Sequence, residues 1–277
     1  MTVVVAVQMA SGPIVNANLL EAERLISHAA SEGAALVVLP ENFALMGHKE
    51  TDKVAIGEGP DGGLLQDFLS QQAKKHSIWL VGGTIPMKSS DKNRIRAACL
   101  LFNDQGEQVA RYDKIHLFDV NLPGSDECYI ESETIESGDE TVVVDTPFGK
   151  LGLAICYDLR FPEMFRDLID KGMEILAIPS AFTAITGRAH WEALLRARAI
   201  ENQCYVIAAA QGGYHANGRE THGDSMIIDP WGIVLNRLSK AAGVVKADID
   251  GERVASVRKT FPAVNHRRLY CRVDVSS

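Results

Sequence analysis

The chain has 277 residues, 46% of them apolar and 23% charged, with a formal net charge of -8. That length and composition describe an ordinary globular chain able to bury one large core, and we read residues 1–277 as a single domain. The acidity argues against a nucleic-acid footprint or an anionic membrane partner, and no apolar run reaches the length of a bilayer span.

In chain order, Val3 to Met9 is a β-branched apolar run that reads as a buried strand. The stretch "NANLLEAERLISHAASEG" follows as a helix, with Asn16 as its cap and Gly33 as its stop. "ALVVLP" is a second buried strand ended by Pro40. Leu64 to Lys75 is helical in pattern, and Ile78 to Val81 and Ala97 to Phe102 are extended. Three hairpins are marked by turn residues: Asn103 to Gly106 in "LLFNDQGEQVARY", Pro147 to Gly149 in "VVVDTPFGKLGLAIC", and Pro230 to Gly232 in "SMIIDPWGIVLNRL". Glu163 to Lys171 and His190 to Asn202 carry helical patterns, each followed by a buried strand, "EILAIPS" and "CYVIAAA". The alternation predicts an α/β chain with mixed sheets covered by helices. Asp119 to Asp139, rich in Pro, Gly, Ser and acidic residues, reads as a long functional loop.

The five cysteines, Cys99, Cys128, Cys156, Cys204 and Cys271, are odd in number and lack a CxxC pair. Neither a disulfide framework nor a zinc site is expected, and a reducing cytoplasm fits best. "MTVVVAVQMA" has no basic leader region. The histidines lack metal-ligand spacing; His215 and His222, in "GGYHANGRETHGDS", read as surface or substrate-loop residues. Cys156 is set apart by its place. In "GKLGLAICYDLRFPEMF" an apolar strand runs into the thiol, turns polar at once, and enters a helix at Pro162 and Glu163. Backbone N–H groups at such a turn stabilise a thiolate or an oxyanion. Cys99 and Cys204 sit in apolar strands and Cys271 in a tail. Two other charged residues stand at strand ends, Glu41 after a buried strand in "VVLPENF" and Lys114 directly after a strand in "RYDKIHLFD".

"LPENF", "YDKIHLFD" and "GLAICYDLRFPE", in that order, resemble the three motifs of the nitrilase superfamily of carbon-nitrogen hydrolases, which carry Glu, Lys and Cys. The resemblance runs from "VAVQMA" to "FPAVNHRR". It implies a four-layer α-β-β-α sandwich with Cys156 as nucleophile, Glu41 as general base and Lys114 stabilising the tetrahedral intermediate. Tyr157 would supply a second oxyanion donor through its backbone N–H. The second glutamate of the family matches Glu131, with Glu127 and Glu133 close by. Burial is expected to raise the Glu41 pKa, and the nearby ammonium to lower that of Cys156. No metal or organic cofactor is implied.

"PSAFTAITGRAHWEALLRARAIENQCYVIAAAQGG" and "THGDSMIIDPWG" resemble the Nit branch, whose amidases act on deaminated glutathione or, as omega-amidases, on 2-oxoglutaramate. The implied reaction is hydrolysis of the terminal amide of a small 2-oxo acid, through a thioester, with ammonia leaving. Such substrates carry carboxylates, so Arg160 and then Arg188 are candidate anchors, Arg160 having Asp158 and Glu163 as competing partners. Phe182, Thr183 and Trp191 are candidate pocket residues, and at most one of Arg196 and Arg198 can point inward. Arg188 stands where the branch commonly has proline, which bears on the shape of that loop. The resemblance also implies a homodimer or larger even oligomer, paired through the helices after Cys156. A Cys-His hydrolase built on His116 or His190, and a non-enzymatic binding protein, are the competing classes.

Overall fold

The computed structural model describes residues 1–122 and 127–269. Its elements open with β1 (Thr2–Gln8), α1 (Val15–Ser31), β2 (Leu36–Val38), α2 (Asp52–Ala55), α3 (Leu64–His76), β3 (Trp79–Val81), β4 (Ile85–Lys88), β5 (Ile95–Phe102) and β6 (Gln108–Asp113). The middle of the chain holds β7 (Asp119–Asn121), β8 (Cys128–Ile130), β9 (Val142–Thr146), β10 (Gly149–Leu153), α4 (Pro162–Asp170), β11 (Ile175–Ser180) and α5 (Ala184–Asn202). It closes with β12 (Tyr205–Ala210), β13 (Gly212–Tyr214), β14 (Glu220–His222), β15 (Ser225–Ile228), β16 (Val234–Leu238), β17 (Gly243–Ile249) and α6 (Gly251–Thr260). Cys271 and residues 123–126 of the acidic segment lie outside the described residues.

Two sheets carry the fold. One has the order β17-β1-β2-β3-β5-β4 with β6 paired to β5, and the other the order β16-β15-β12-β11-β10-β9. In each, three central strands are parallel and antiparallel strands flank them. Side chains alternate between faces along a strand, which shows how the layers stack. Val4 and Ala6 of β1, with Leu36 and Val38 of β2, belong to a core shared with Leu151, Ile178 and Ile207 of the second sheet. Val5, Val7 and Val37 point the other way, into a separate core with Leu25 and Ile26 of α1 and Leu65 and Leu69 of α3. Helices α4 and α5 cover the outer face of the second sheet, with Phe165, Leu168, Trp191 and Leu195 buried against it. The result is the α-β-β-α sandwich. A strand covered on both faces needs no polar alternation, which is why β1 reads as an unbroken apolar run.

Several local expectations change. Helix α1 begins at Val15 after Ile14, and no side chain caps it. The asparagine that organises this corner is Asn18, whose amide bonds the Gly12 N–H, the Gly12 carbonyl and the Ala44 carbonyl, each at 2.8 Å. The helix expected from His190 starts at Ala184 because Thr183 caps it, Oγ1 accepting from the Thr186 N–H at 3.3 Å. "ITGRAHW" is therefore helix, not loop. Gly187 is needed there, since a Cβ would come within 2.2 Å of the His222 ring. The acidic segment contains the β7–β8 hairpin and a 3-10 turn at Glu131–Glu133. Cys204 lies just before β12, buried, rather than within it. No described helix is long and apolar enough to cross a membrane.

Candidate active site

Glu41 follows β2, Lys114 follows β6 and Cys156 follows β10. Ligand sites in α/β sheets form beyond such carboxyl ends, where strand geometry holds the side chains and the loops open. After β10 the chain enters a 3-10 turn, Cys156–Arg160, with Cys156 in the left-handed region at φ 45°. A non-glycine residue there costs about 1–3 kcal/mol and needs support from its surroundings. Fully buried Asp158 supplies it. One carboxylate oxygen accepts from the Ile155 N–H at 2.8 Å and the Tyr112 hydroxyl at 2.6 Å, the other from the His116 N–H at 3.1 Å and Nδ1 at 2.8 Å. The Cys156 turn is thereby tied to the strand end that bears Lys114.

Lys114 is almost completely buried, with Nζ 2.9 Å from Glu41 Oε1 and 2.8 and 2.9 Å from the two oxygens of Glu131. Glu131 also accepts the Phe118 N–H at 2.7 Å. Of the three neighbouring acids it is Glu131 that meets Lys114; Glu127 bonds the Tyr129 hydroxyl. Burial is the largest influence on Lys114 and opposes its charge, yet the two carboxylates outweigh it and hold its pKa well above the usual lysine value. For Glu41, burial acts upward, but the Lys114 ammonium and the Cys156 thiol prevail, and its pKa falls below the ordinary carboxylate value. Burial, reinforced by the Glu41 charge, pushes the Cys156 thiol up against the opposing pull of Lys114 and of the Ala181 N–H on the sulfur. Both directions reverse the expectation from sequence, because Lys114 serves Glu41 and Glu131 first. The resting site is carboxylate, ammonium and neutral thiol.

These groups open into a cavity of about 340 Å³, within the range of small-molecule sites. Tyr157, Arg160, Phe182 and Thr183 line it. The Arg160 guanidinium lies 5.8 Å from the Tyr157 ring centre and 5.3 Å from that of Phe182, and Nη1 meets His190 Nδ1 at 3.2 Å. No carboxylate pairs with it among the described residues; Asp158 is occupied elsewhere. Arg188 is a correction. It stands exposed on α5 beside a different depression, with Glu192 and Arg237, because the early helix start turns it away from Cys156. Trp191 is core, its Nε1 donating to the Asp224 carbonyl at 2.7 Å. Of the other two α5 arginines, Arg198 points inward but holds the Leu159 carbonyl, and Arg196 binds the Gly232 carbonyl.

Neither His116 nor His190 lines the cavity. His215 is buried rather than on the surface, bonded to the Ser11 carbonyl at 2.8 Å and Thr221 Oγ1 at 2.7 Å, and His222 packs half-buried on Gly187. Sequence reasoning missed three charged residues of the lining: Glu50, Lys53 and Arg219. Glu50 and Lys53 carry no motif. Arg219 had a faint signal, the Asn217-Gly218 turn just before it in the loop already singled out.

The carbon-nitrogen hydrolase family matches residues 4–259. The chain is 44% identical over 269 residues to a deaminated glutathione amidase of Synechocystis sp., covering 95% of this chain and 96% of that one. It is 41% identical over 264 residues to the human protein of the same name, covering 94% of this chain and 80% of the other. Among solved structures, Nit3 of Saccharomyces cerevisiae, a member of branch 10 of the nitrilase superfamily, superposes with a TM-score of 0.87 at 32% identity, covering 97% of both chains. The NitFhit protein of C. elegans superposes at 0.89 with 40% identity, over 96% of this chain and 65% of that one. Likeness of this extent in both sequence and fold has one reading: the chain belongs to the carbon-nitrogen hydrolase family and is an amidase.

Proposed function

We propose that the protein hydrolyses a small 2-oxo-acid amide, deaminated glutathione first among them, with Cys156 as nucleophile, Glu41 as general base and Lys114 as the oxyanion's electrostatic partner. The observation that carries this is the buried ammonium of Lys114, held by Glu41 and Glu131 beside a thiol that touches Glu41. As Cys156 Sγ adds to the amide carbonyl, its proton passes to Glu41. The negative charge gathering on oxygen faces Lys114 and the backbone N–H of Tyr157. Collapse breaks the C–N bond and the departing amine takes the proton from Glu41. Water then gives a proton to Glu41 and adds to the thioester, and the thiol leaves reprotonated. Glu131 keeps Lys114 aimed and charged.

The nature of the amine follows from the substrate. A primary amide such as 2-oxoglutaramate releases ammonia, as expected from the sequence. In deaminated glutathione the amide nitrogen is that of cysteine, so the leaving group is the amine of Cys-Gly and no ammonia forms. Arg160, which no carboxylate engages among the described residues, would hold the 2-oxo-acid carboxylate over Tyr157 and Phe182. The names of the relatives support this substrate class. A cytoplasmic homodimer or larger even oligomer completes the proposal. Its support is an exposed apolar cluster of Ile200, Trp231 and Phe261 at the C-terminal part of α5.

The test is turnover of deaminated glutathione and of 2-oxoglutaramate, read as appearance of the 2-oxo acid so that both amines count alike. A larger kcat/KM for the former, abolished by Cys156→Ala, is expected. Full activity in Cys156→Ala would overturn the mechanism, and preference for 2-oxoglutaramate would overturn the substrate.

A further inference from the structure

The cavity holds a second arginine that the hydrolysis described above leaves unused. Arg219 stands at the turn of the β13–β14 hairpin and lines the cavity. Its guanidinium lies 5.0 Å over the ring of Tyr129, a residue of β8 that lines the same cavity. Nη2 donates to the Ala181 carbonyl, and Ala181 is also the residue whose N–H meets the Cys156 sulfur. Arg219 therefore grips the short segment that meets the nucleophile's sulfur.

Its Nε is buried and has no partner, and no ion pair of the guanidinium is found among the described residues. Glu50 is the acid that feels its charge, and Glu50 is held by Lys53 at 2.8 Å. A guanidinium offers five N–H groups, and leaving a buried one unmade is unfavourable; its planar fork matches a carboxylate in two parallel bonds. Two arginines thus reach one small cavity from different directions. Arg160 belongs to the same turn as Cys156, the residue to which the acyl half of a substrate stays attached. Arg219 belongs to a separate hairpin and is left for the half that departs.

Resting on the 2-oxo-acid amide reading, we propose that Arg219 binds a carboxylate carried by the leaving half of the substrate, so that the site selects amides with an acid group on each side of the scissile bond. Deaminated glutathione meets that requirement through its terminal glycine carboxylate, and 2-oxoglutaramate does not.

The experiment compares deaminated glutathione with its analogue in which the glycine carboxylate is a carboxamide, which keeps the scissile bond and the 2-oxo acid. Wild-type kcat/KM should favour the acid by about tenfold or more, mostly through KM, the worth of a charged bidentate contact. Arg219→Gln should bring the ratio of the two close to one, and Arg219→Lys should restore part of the preference. An Arg219→Gln protein that is slower on both substrates but keeps the wild-type ratio would show that Arg219 only supports the Ala181 segment, and would overturn the proposal. A wild-type ratio near one would overturn it while the amidase reading stands. Turnover of neither compound by the wild type would overturn that reading and the proposal with it.

Discussion

The three charged or nucleophilic groups at the centre set one another's protonation, and this shapes the pH dependence of the reaction. The proposed mechanism starts from an ionised Glu41 and a protonated Cys156. The Glu41 pKa is depressed, so the carboxylate form persists below its usual value of 4.5 and is lost only as pH falls through the lower, folded value. The Cys156 pKa is raised, so the thiol form persists above 9.0. We therefore expect kcat/KM to be flat between those limits, with no inflection at the ordinary thiol value; an acid limb centred above about 6 would contradict the Lys114–Glu41 pairing. Replacing Glu41 by Gln removes the proposed base but keeps the shape, and kcat should fall by about 10²–10⁴, measured in steady state with the fold checked by circular dichroism. At this scale Glu41, Lys114 and Cys156 were legible because each follows a strand within a recognisable motif. Arg219 was not, because what brings it to the cavity is a contact with Ala181 across a hairpin, and no local pattern records that.

At the scale of elements, the Cys156 turn and the start of α5 are the parts under most demand. Asp158 accepts four hydrogen bonds with no solvent to replace them, so Asp158→Ala should destabilise the protein by on the order of 3 kcal/mol, read as a lower urea midpoint, and lose activity in proportion. Thr183→Ala removes the α5 cap at a cost of about 1 kcal/mol, visible as a fall of a few degrees in Tm. Helices and hairpins were largely readable from periodicity and turn residues. The error at α5, which starts six residues before His190, arose because "AITGRA" has little amphipathic character of its own; its helical state depends on the Thr183 cap and on His222 packing at Gly187.

For the whole molecule, the apolar cluster of Ile200, Trp231 and Phe261 is contiguous, with Trp231 and Phe261 rings 5.6 Å apart and Ile200 against Gly232. Such a patch marks an association surface. Light scattering should give an even oligomer, and Ile200→Glu should shift it toward monomer; a monomeric wild type at working concentration would defeat the expectation. The sequence by itself determined the alternation of elements, the ends of the buried strands and the residues of the three motifs, since these depend on local periodicity and short spacings. The tertiary structure alone decided which glutamate meets Lys114, that Arg188 faces away, that His215 is buried, and that Glu50, Lys53 and Arg219 share the cavity. It also decided the sign of the Glu41 and Cys156 shifts. Those outcomes depend on distances between residues far apart in the chain, and electrostatic balance in a buried site is settled by which charges lie nearest, not by which residues are present.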